Sequence, residues 1–133
     1  MNLKNVVTVI GAHAEGEVGR VITGGVNAPR ANSMFERRVA VQETQDWLRT
    51  MLLSDPRGSV NAAVNLITPP IHPEADFGMI VIESDDYPPM SGSNLMCTVT
   101  VALESGMLAM REPETLLTVG MMAVRSPTVV SWS

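Results

Sequence analysis

The stretch "SGSNLMCTVTVALESG", Ser91 to Gly106, decides the architecture, because it can be read in two ways. Its "TVTV" alternates β-branched residues as a strand does, yet its length and the closing Gly106 suit a helix of about three and a half turns. In the helical reading Leu95, Val99, Ala102 and Leu103 form one stripe. Met96, Cys97, Thr98, Thr100 and Val101 fill the rest of the circumference, with no charge before Glu104. A helix that is apolar nearly all round has to be surrounded by protein. A central helix inside a curved sheet meets that requirement.

The flanking sequence supplies the sheet. "NVVTVIGA" (Asn5 to Ala12) and "VGRVITGG" (Val18 to Gly25) are β-branched runs closed by glycine and read as a hairpin. "SMFERRVAVQETQDWLRTMLLSDPRG" opens with Ser33 and Glu36 at capping-box spacing and stops at Asp55, Pro56 and Gly58, which predicts one long amphipathic helix. Phe35, Val39, Leu48, Met51 and Leu52 are its expected core face. "AAVNLIT" and "FGMIVIE" read as further strands around the turn-rich "PPIHPEAD". Strands, helix and strands in this order predict a mixed α/β or α+β domain.

Composition narrows the function. At 133 residues, with 45% hydrophobic and 17% charged residues, the chain fits one globular domain and not a disordered one. A net charge of −5 and no basic cluster interleaved with aromatics exclude a nucleic-acid partner. No apolar run reaches about 18 residues and the N-terminus lacks a signal-peptide pattern, so a cytoplasmic protein with no membrane partner is expected. The single cysteine, Cys97, agrees with a reducing compartment and excludes a thiolate cluster. The ten methionines read mainly as adaptable core filler.

If residues from Gly92 onward are helical, the helix start is a site. Its first N–H groups lack intrahelical partners and carry about half a positive charge, which favours an anion. Gly92 lets a ligand approach the backbone, Ser93 or Asn94 caps the turn or touches the ligand, and Ser91 presents its hydroxyl just outside. The alternative is that Ser91, Ser93 and Asn94 only cap and turn the chain.

Three segments in order, "HAEGEVGRVITGG" from His13, "HPEADFGMIVIE" from His72 and "PPMSGSNLMCTVTVALESGML" from Pro88, resemble the proline racemase family. That family includes proline racemases, hydroxyproline 2-epimerases and trans-3-hydroxy-L-proline dehydratases. The family pattern H-x-x-G-E-x-x-R falls on His13, Gly16, Glu17 and Arg20, and the M-C-G-H box falls on Met90, Ser91, Gly92 and Ser93. The resemblance implies a lobe similar to diaminopimelate epimerase, with a curved mixed sheet around a central helix, and a second lobe that completes the site. It implies chemistry without a cofactor or metal at the α-carbon of hydroxyproline or proline. In this reading Ser91 is the acid/base residue, Gly92, Ser93 and Asn94 bind the substrate carboxylate, and His13, Glu17 and Arg20 support the site. A hydroxyl replaces the family's thiol, and elimination needs one base where racemisation needs two. That favours the dehydratase branch, with hydroxyproline 2-epimerase and proline racemase as alternatives.

Other residues carry plainer readings. Cys97 lies six residues beyond Ser91 and reads as core packing, not as the family cysteine. His13 suits a structural hydrogen bond, His72 an exposed loop, and Asp85 and Asp86 a solvated turn before the box. "GAHAEG" lacks the order of a phosphate loop. Residues 1–119 carry the likeness, whereas 120–133, "GMMAVRSPTVVSWS" from Gly120, do not. That change suggests a truncated or frameshifted product lacking the second lobe, with apolar surface exposed for oligomerisation. A noncatalytic single-lobe binding module is the alternative from another function class.

Overall fold

A computed structural model of the chain describes residues 6–14, 17–53, 63–83, 86–88, 91–109, 114–121 and 125–131. At 13–14, 17–18, 114–116 and 125–131 it describes the main chain alone. The elements are β1 (Thr8–Ala14), β2 (Glu17–Gly24), α1 (Met34–Thr44), α2 (Trp47–Leu53), β3 (Ala63–Thr68), β4 (Phe77–Glu83), α3 (Gly92–Glu104), β5 (Glu114–Gly120) and β6 (Arg125–Ser131). The segment from Gly92 is therefore a helix, and the first two strands form the expected hairpin.

The six strands lie side by side in chain order. β1–β2, β3–β4 and β5–β6 pair antiparallel, while β2–β3 and β4–β5 pair parallel. The two parallel pairs thus point in opposite directions. Crossovers between parallel strands are right-handed in nearly all proteins. Two such crossovers that advance the same way across the sheet, from oppositely directed strands, must pass over opposite faces.

Packing agrees with that geometry. Val64, Leu66, Ile80 and Ile82 meet Met34, Val41, Leu48 and Leu53 of α1 and α2 on one face. Phe77, Met79 and Val81 meet Leu95, Val99, Ala102 and Leu103 of α3 on the other. Strands buried on both faces should read as unbroken apolar runs, and "FGMIVIE" does. α3 ends where Gly106 adopts φ 79°, a left-handed conformation that glycine enters without a Cβ clash.

The single long helix expected from Ser33 onward is two helices. Ser33 caps α1, its Oγ accepting from the Glu36 N–H at 3.1 Å, and the Glu36 carboxylate accepts from the Asn32 N–H at 3.1 Å. α1 then closes at Gln45, whose N–H donates to the Val41 carbonyl at 2.7 Å. α2 starts afresh beside Asp46, an acid well placed at a helix N-terminus. The expected stop at Asp55, Pro56 and Gly58 lies outside the described residues. The core face is also shifted: Phe35 is 53% and Met51 43% exposed, whereas Met34, Arg37, Val41, Leu48 and Leu53 are buried.

Arg37 explains part of that shift. It is buried, and donates to the Pro29 carbonyl at 2.8 Å, the Thr68 hydroxyl at 3.1 Å and the Pro69 carbonyl at 2.6 Å. These acceptors offset the desolvation that lowers its pKa and staple the loop before α1 to the loop after β3. Thr68 and Met34 also close over Gly78: a Cβ there would meet Thr68 Oγ1 and lie 2.8 Å from Met34 Sδ. Gly78→Ala is therefore expected to destabilise the fold by roughly 1–3 kcal/mol through overpacking. A lower urea midpoint at unchanged slope checks this; an unchanged midpoint would mean that the neighbours move aside freely.

Candidate active site

Ser91 stands at the N-terminal tip of α3 with extended backbone, φ −152° and ψ 119°. Its carbonyl accepts the first intrahelical bond, from the Leu95 N–H at 2.9 Å. Its Oγ accepts from the Asn94 N–H at 3.5 Å and from Asn94 Nδ2 at 2.9 Å. Ser91 and Asn94 thus organise one helix turn, as expected where orphan N–H groups need acceptors. Gly92 is exposed, and a Cβ added there would meet nothing within 4 Å. Among the described residues no neighbour requires glycine at that position.

The tip is tied to the sheet through amides. Asn94 Oδ1 accepts from Asn65 Nδ2 of β3 at 2.8 Å, and the same Nδ2 donates to the Arg20 carbonyl of β2 at 3.3 Å. Asn65 is fully buried and Asn94 nearly so. Close approach of α3 to β2 depends on Gly19, where a Cβ would lie 3.0 Å from Cys97 Sγ and 3.3 Å from Asn94 Oδ1. Thr98 Oγ1 donates to the Asn94 carbonyl at 2.7 Å and secures the next turn.

The approach to the tip is anchored from the other face. Tyr87 is buried, and its hydroxyl donates to Asp46 Oδ1 at 2.6 Å. Asp46 also accepts from Arg49 Nε at 3.0 Å and Nη2 at 2.8 Å. The Arg49 guanidinium first, then the Tyr87 hydroxyl, hold the Asp46 carboxyl down to about 2. Burial first, then the hydrogen bond to Asp46 and its charge, push the Tyr87 phenol above its ordinary value.

The structure brings together Ser91, Gly92, Ser93 and Asn94 in one helix turn. For Arg20 it is the carbonyl that reaches this network. Strand alternation turns the Arg20 side chain to the face of Ile22, away from that of Gly19 and Asn94. His13 and Glu17 have described main chain, opposite Val18 and Ala14 at the hairpin end, while Gly16, Asp85 and Met90 lie outside the described residues. Cys97 is buried and His72 exposed. Asp86 closes the turn after β4, its carbonyl accepting from the Glu83 N–H at 2.8 Å and its carboxylate from the Tyr87 N–H at 2.8 Å. Asn65, Gly19 and the Asp46–Arg49–Tyr87 cluster were not anticipated. The one available signal was an amide within the apolar run "AVNLIT".

Among the described residues no three or more His, Cys, Asp or Glu side chains gather as metal ligands, and no helix is long and apolar enough to cross a membrane. A concavity of about 760 Å3, lined by residues that include Arg30, Asn32, Glu36 and Arg37, lies at the start of α1 and contains none of Ser91–Asn94.

The sequence profile of proline racemase matches residues 9–126. A hydroxyproline epimerase from Agrobacterium vitis, solved with bound trans-4-hydroxy-L-proline, is 32% identical with a TM-score of 0.90; the match covers 100% of this chain and 40% of that one. A probable proline racemase from Agrobacterium radiobacter, solved with bound carbonate, is 35% identical with a TM-score of 0.87, covering 96% and 38%. A PhzF-family phenazine biosynthesis protein from Bacillus anthracis, at 13% identity and TM-score 0.59, shares the fold, covering 94% and 36%.

The anchor beneath Tyr87 has a pH signature. Because the Asp46 pKa falls from 3.8 to about 2 on folding, its contribution is present above 3.8 and is lost as pH falls toward 2. Asp46 is partly exposed, so the ion pair contributes at most about 1 kcal/mol. The melting-temperature advantage of wild type over Asp46→Asn is expected to shrink across that window. A constant advantage would show that the carboxylate charge is not what holds the loop.

Proposed function

Because this chain belongs to the proline racemase family, we propose that it supplies one half of a site that transfers the α-proton of a hydroxyproline, with Ser91 as the acid/base residue. The chain spans about two fifths of the length of the solved relatives it matches, 40% and 38%. The observation that carries the reading is Ser91 Oγ at the tip of α3, accepting from two N–H donors beside Gly92, over which no described residue closes. Those N–H groups and the helix dipole favour the negative charge of a substrate carboxylate and of an oxygen that has lost its proton. In this reading Gly92, Ser93 and Asn94 bind the carboxylate, residues 1–119 form the catalytic lobe, and residues 120–133 form a divergent tail.

Two reactions share the proton transfer. Dehydration of trans-3-hydroxy-L-proline removes the α-hydrogen as a proton, expels the β-hydroxyl as water and leaves a pyrroline carboxylate. It requires one base, which suits a site where a hydroxyl stands in place of a thiol. Epimerisation returns a proton to the opposite face of the ring, and the epimerase with bound trans-4-hydroxy-L-proline favours this second reading.

The purified chain, its half-site completed by a second copy, is expected on incubation in heavy water with each hydroxyproline to place deuterium on the α-carbon or to release pyrroline carboxylate. Ser91→Ala is expected to lower either rate by at least about a hundredfold. Deuterium in an inverted 4-hydroxyproline identifies the epimerase, and pyrroline carboxylate from the 3-hydroxy isomer identifies the dehydratase. Hydroxyproline binding with neither product would favour a noncatalytic module and remove both reactions.

A further inference from the structure

Asn65 is an unusual residue for its place. It is fully buried in the middle of β3, and its Oδ1 has no hydrogen-bond partner among the described residues. A leucine, which branches in the same way, would continue the apolar run and leave no orphaned acceptor. The amide is therefore retained against packing and solvation, a pattern that points to function.

We propose that Asn65, acting through Asn94, is a positioning residue that fixes the hydrogen-bond polarity of the Ser91 hydroxyl; its catalytic meaning rests on the reading of Ser91 given above. The Arg20 carbonyl can only accept, so the Asn65 group that faces it at 3.3 Å must be the NH2. That NH2 also faces Asn94 across 2.8 Å, which obliges Asn94 to present Oδ1 inward. The Asn94 NH2 is then the group that meets Ser91 Oγ, at 2.9 Å. A free asparagine could flip and accept from serine instead; this one cannot flip without setting two acceptors or two donors face to face. Gly19 keeps the spacing short, since a Cβ there would lie 3.3 Å from Asn94 Oδ1.

The chemical consequence is directional. Ser91 Oγ has two lone pairs, and the Asn94 N–H and Nδ2 both point at it. Its own proton is left for a group outside the helix. When that proton passes to a trigonal α-carbon, the O–H bond breaks, a C–H bond forms from the carbon's electron pair, and the O–H pair stays on Oγ. The negative oxygen is met by N–H donors already in place, so little reorganisation is needed. The reverse step, abstraction of an α-proton, regenerates the hydroxyl in the same orientation.

The test separates this assignment from the reaction itself. In the 15N-labelled intact chain, the side-chain NH2 pairs of Asn65 and Asn94 are expected to exchange with water at least roughly tenfold more slowly than those of exposed Asn27 and Asn32. Asn65→Leu is expected to release the Asn94 pair to the exposed rate while the backbone amide spectrum of α3 is kept. An Asn94 pair unmoved by that change overturns the proposal. Should Asn65→Leu fail to fold, Ser91→Ala reports instead: it is expected to shift the Asn65 NH2 resonances through Asn94, and no shift overturns the coupling. With hydroxyproline, Asn65→Leu is expected to lower the maximal α-carbon exchange rate by roughly ten- to a hundredfold at a similar half-saturating concentration. A change confined to half-saturation would make Asn65 a pocket-shaping residue and overturn the positioning role. Coupled amides in a wild-type chain that exchanges no α-proton would remove the reaction and leave the polarity assignment standing.

Discussion

The fold depends on one constraint: β3 and β4 are buried on both faces, and each face has to be covered. Two crossovers of the same hand accomplish this, because the parallel pairs they join run in opposite directions. α1 and α2 close one face and α3 the other. The position of the site follows. α3 starts beside the hairpin of β1 and β2 because it must lie across the strands it covers, and its N-terminal tip, capped by Ser91, arrives there.

Serine at that tip carries two physical roles. It is among the best N-cap residues, whereas cysteine is a weaker hydrogen-bond acceptor. Compared with a thiol, a hydroxyl at this position makes the stronger cap and has far lower intrinsic acidity. Asn94 bears on both effects, because its backbone and side-chain N–H groups address the same oxygen. An amide held in one orientation can support a charged oxygen where a freely rotating one would sample the opposite polarity.

Much of this was legible in the sequence, for identifiable reasons. The hairpin, β3, β4 and α3 carry strong local signals in β-branched runs, glycine stops and an apolar circumference, and tertiary packing agrees with them. Ser91 to Asn94 were legible as a helix start because capping chemistry is local. The break between α1 and α2 was not, since it depends on Asp46 meeting Tyr87, 41 residues away in the chain. The shifted core face has a similar origin: Arg37 looks like a surface residue until the carbonyls of Pro29 and Pro69 surround it. Asn65 was visible as an oddity, but its partner on α3 belongs to the fold and not to any local pattern.

The order of the strands has a kinetic consequence. Every strand pairs only with its neighbours in strand order, so each pairing waits no longer than the next strand, although the two parallel pairs, Gly19 with Ala63 and Phe77 with Val119, close over a helical crossover. Contacts of short sequence separation carry low loop-closure entropy and form early. During synthesis the sheet can grow strand by strand as the polypeptide leaves the ribosome, exposing few unpaired edges to aggregation at any moment. The amide ladder beneath Ser91 would then be assembled last among its parts, when α3 settles onto a β2–β3 floor that already exists.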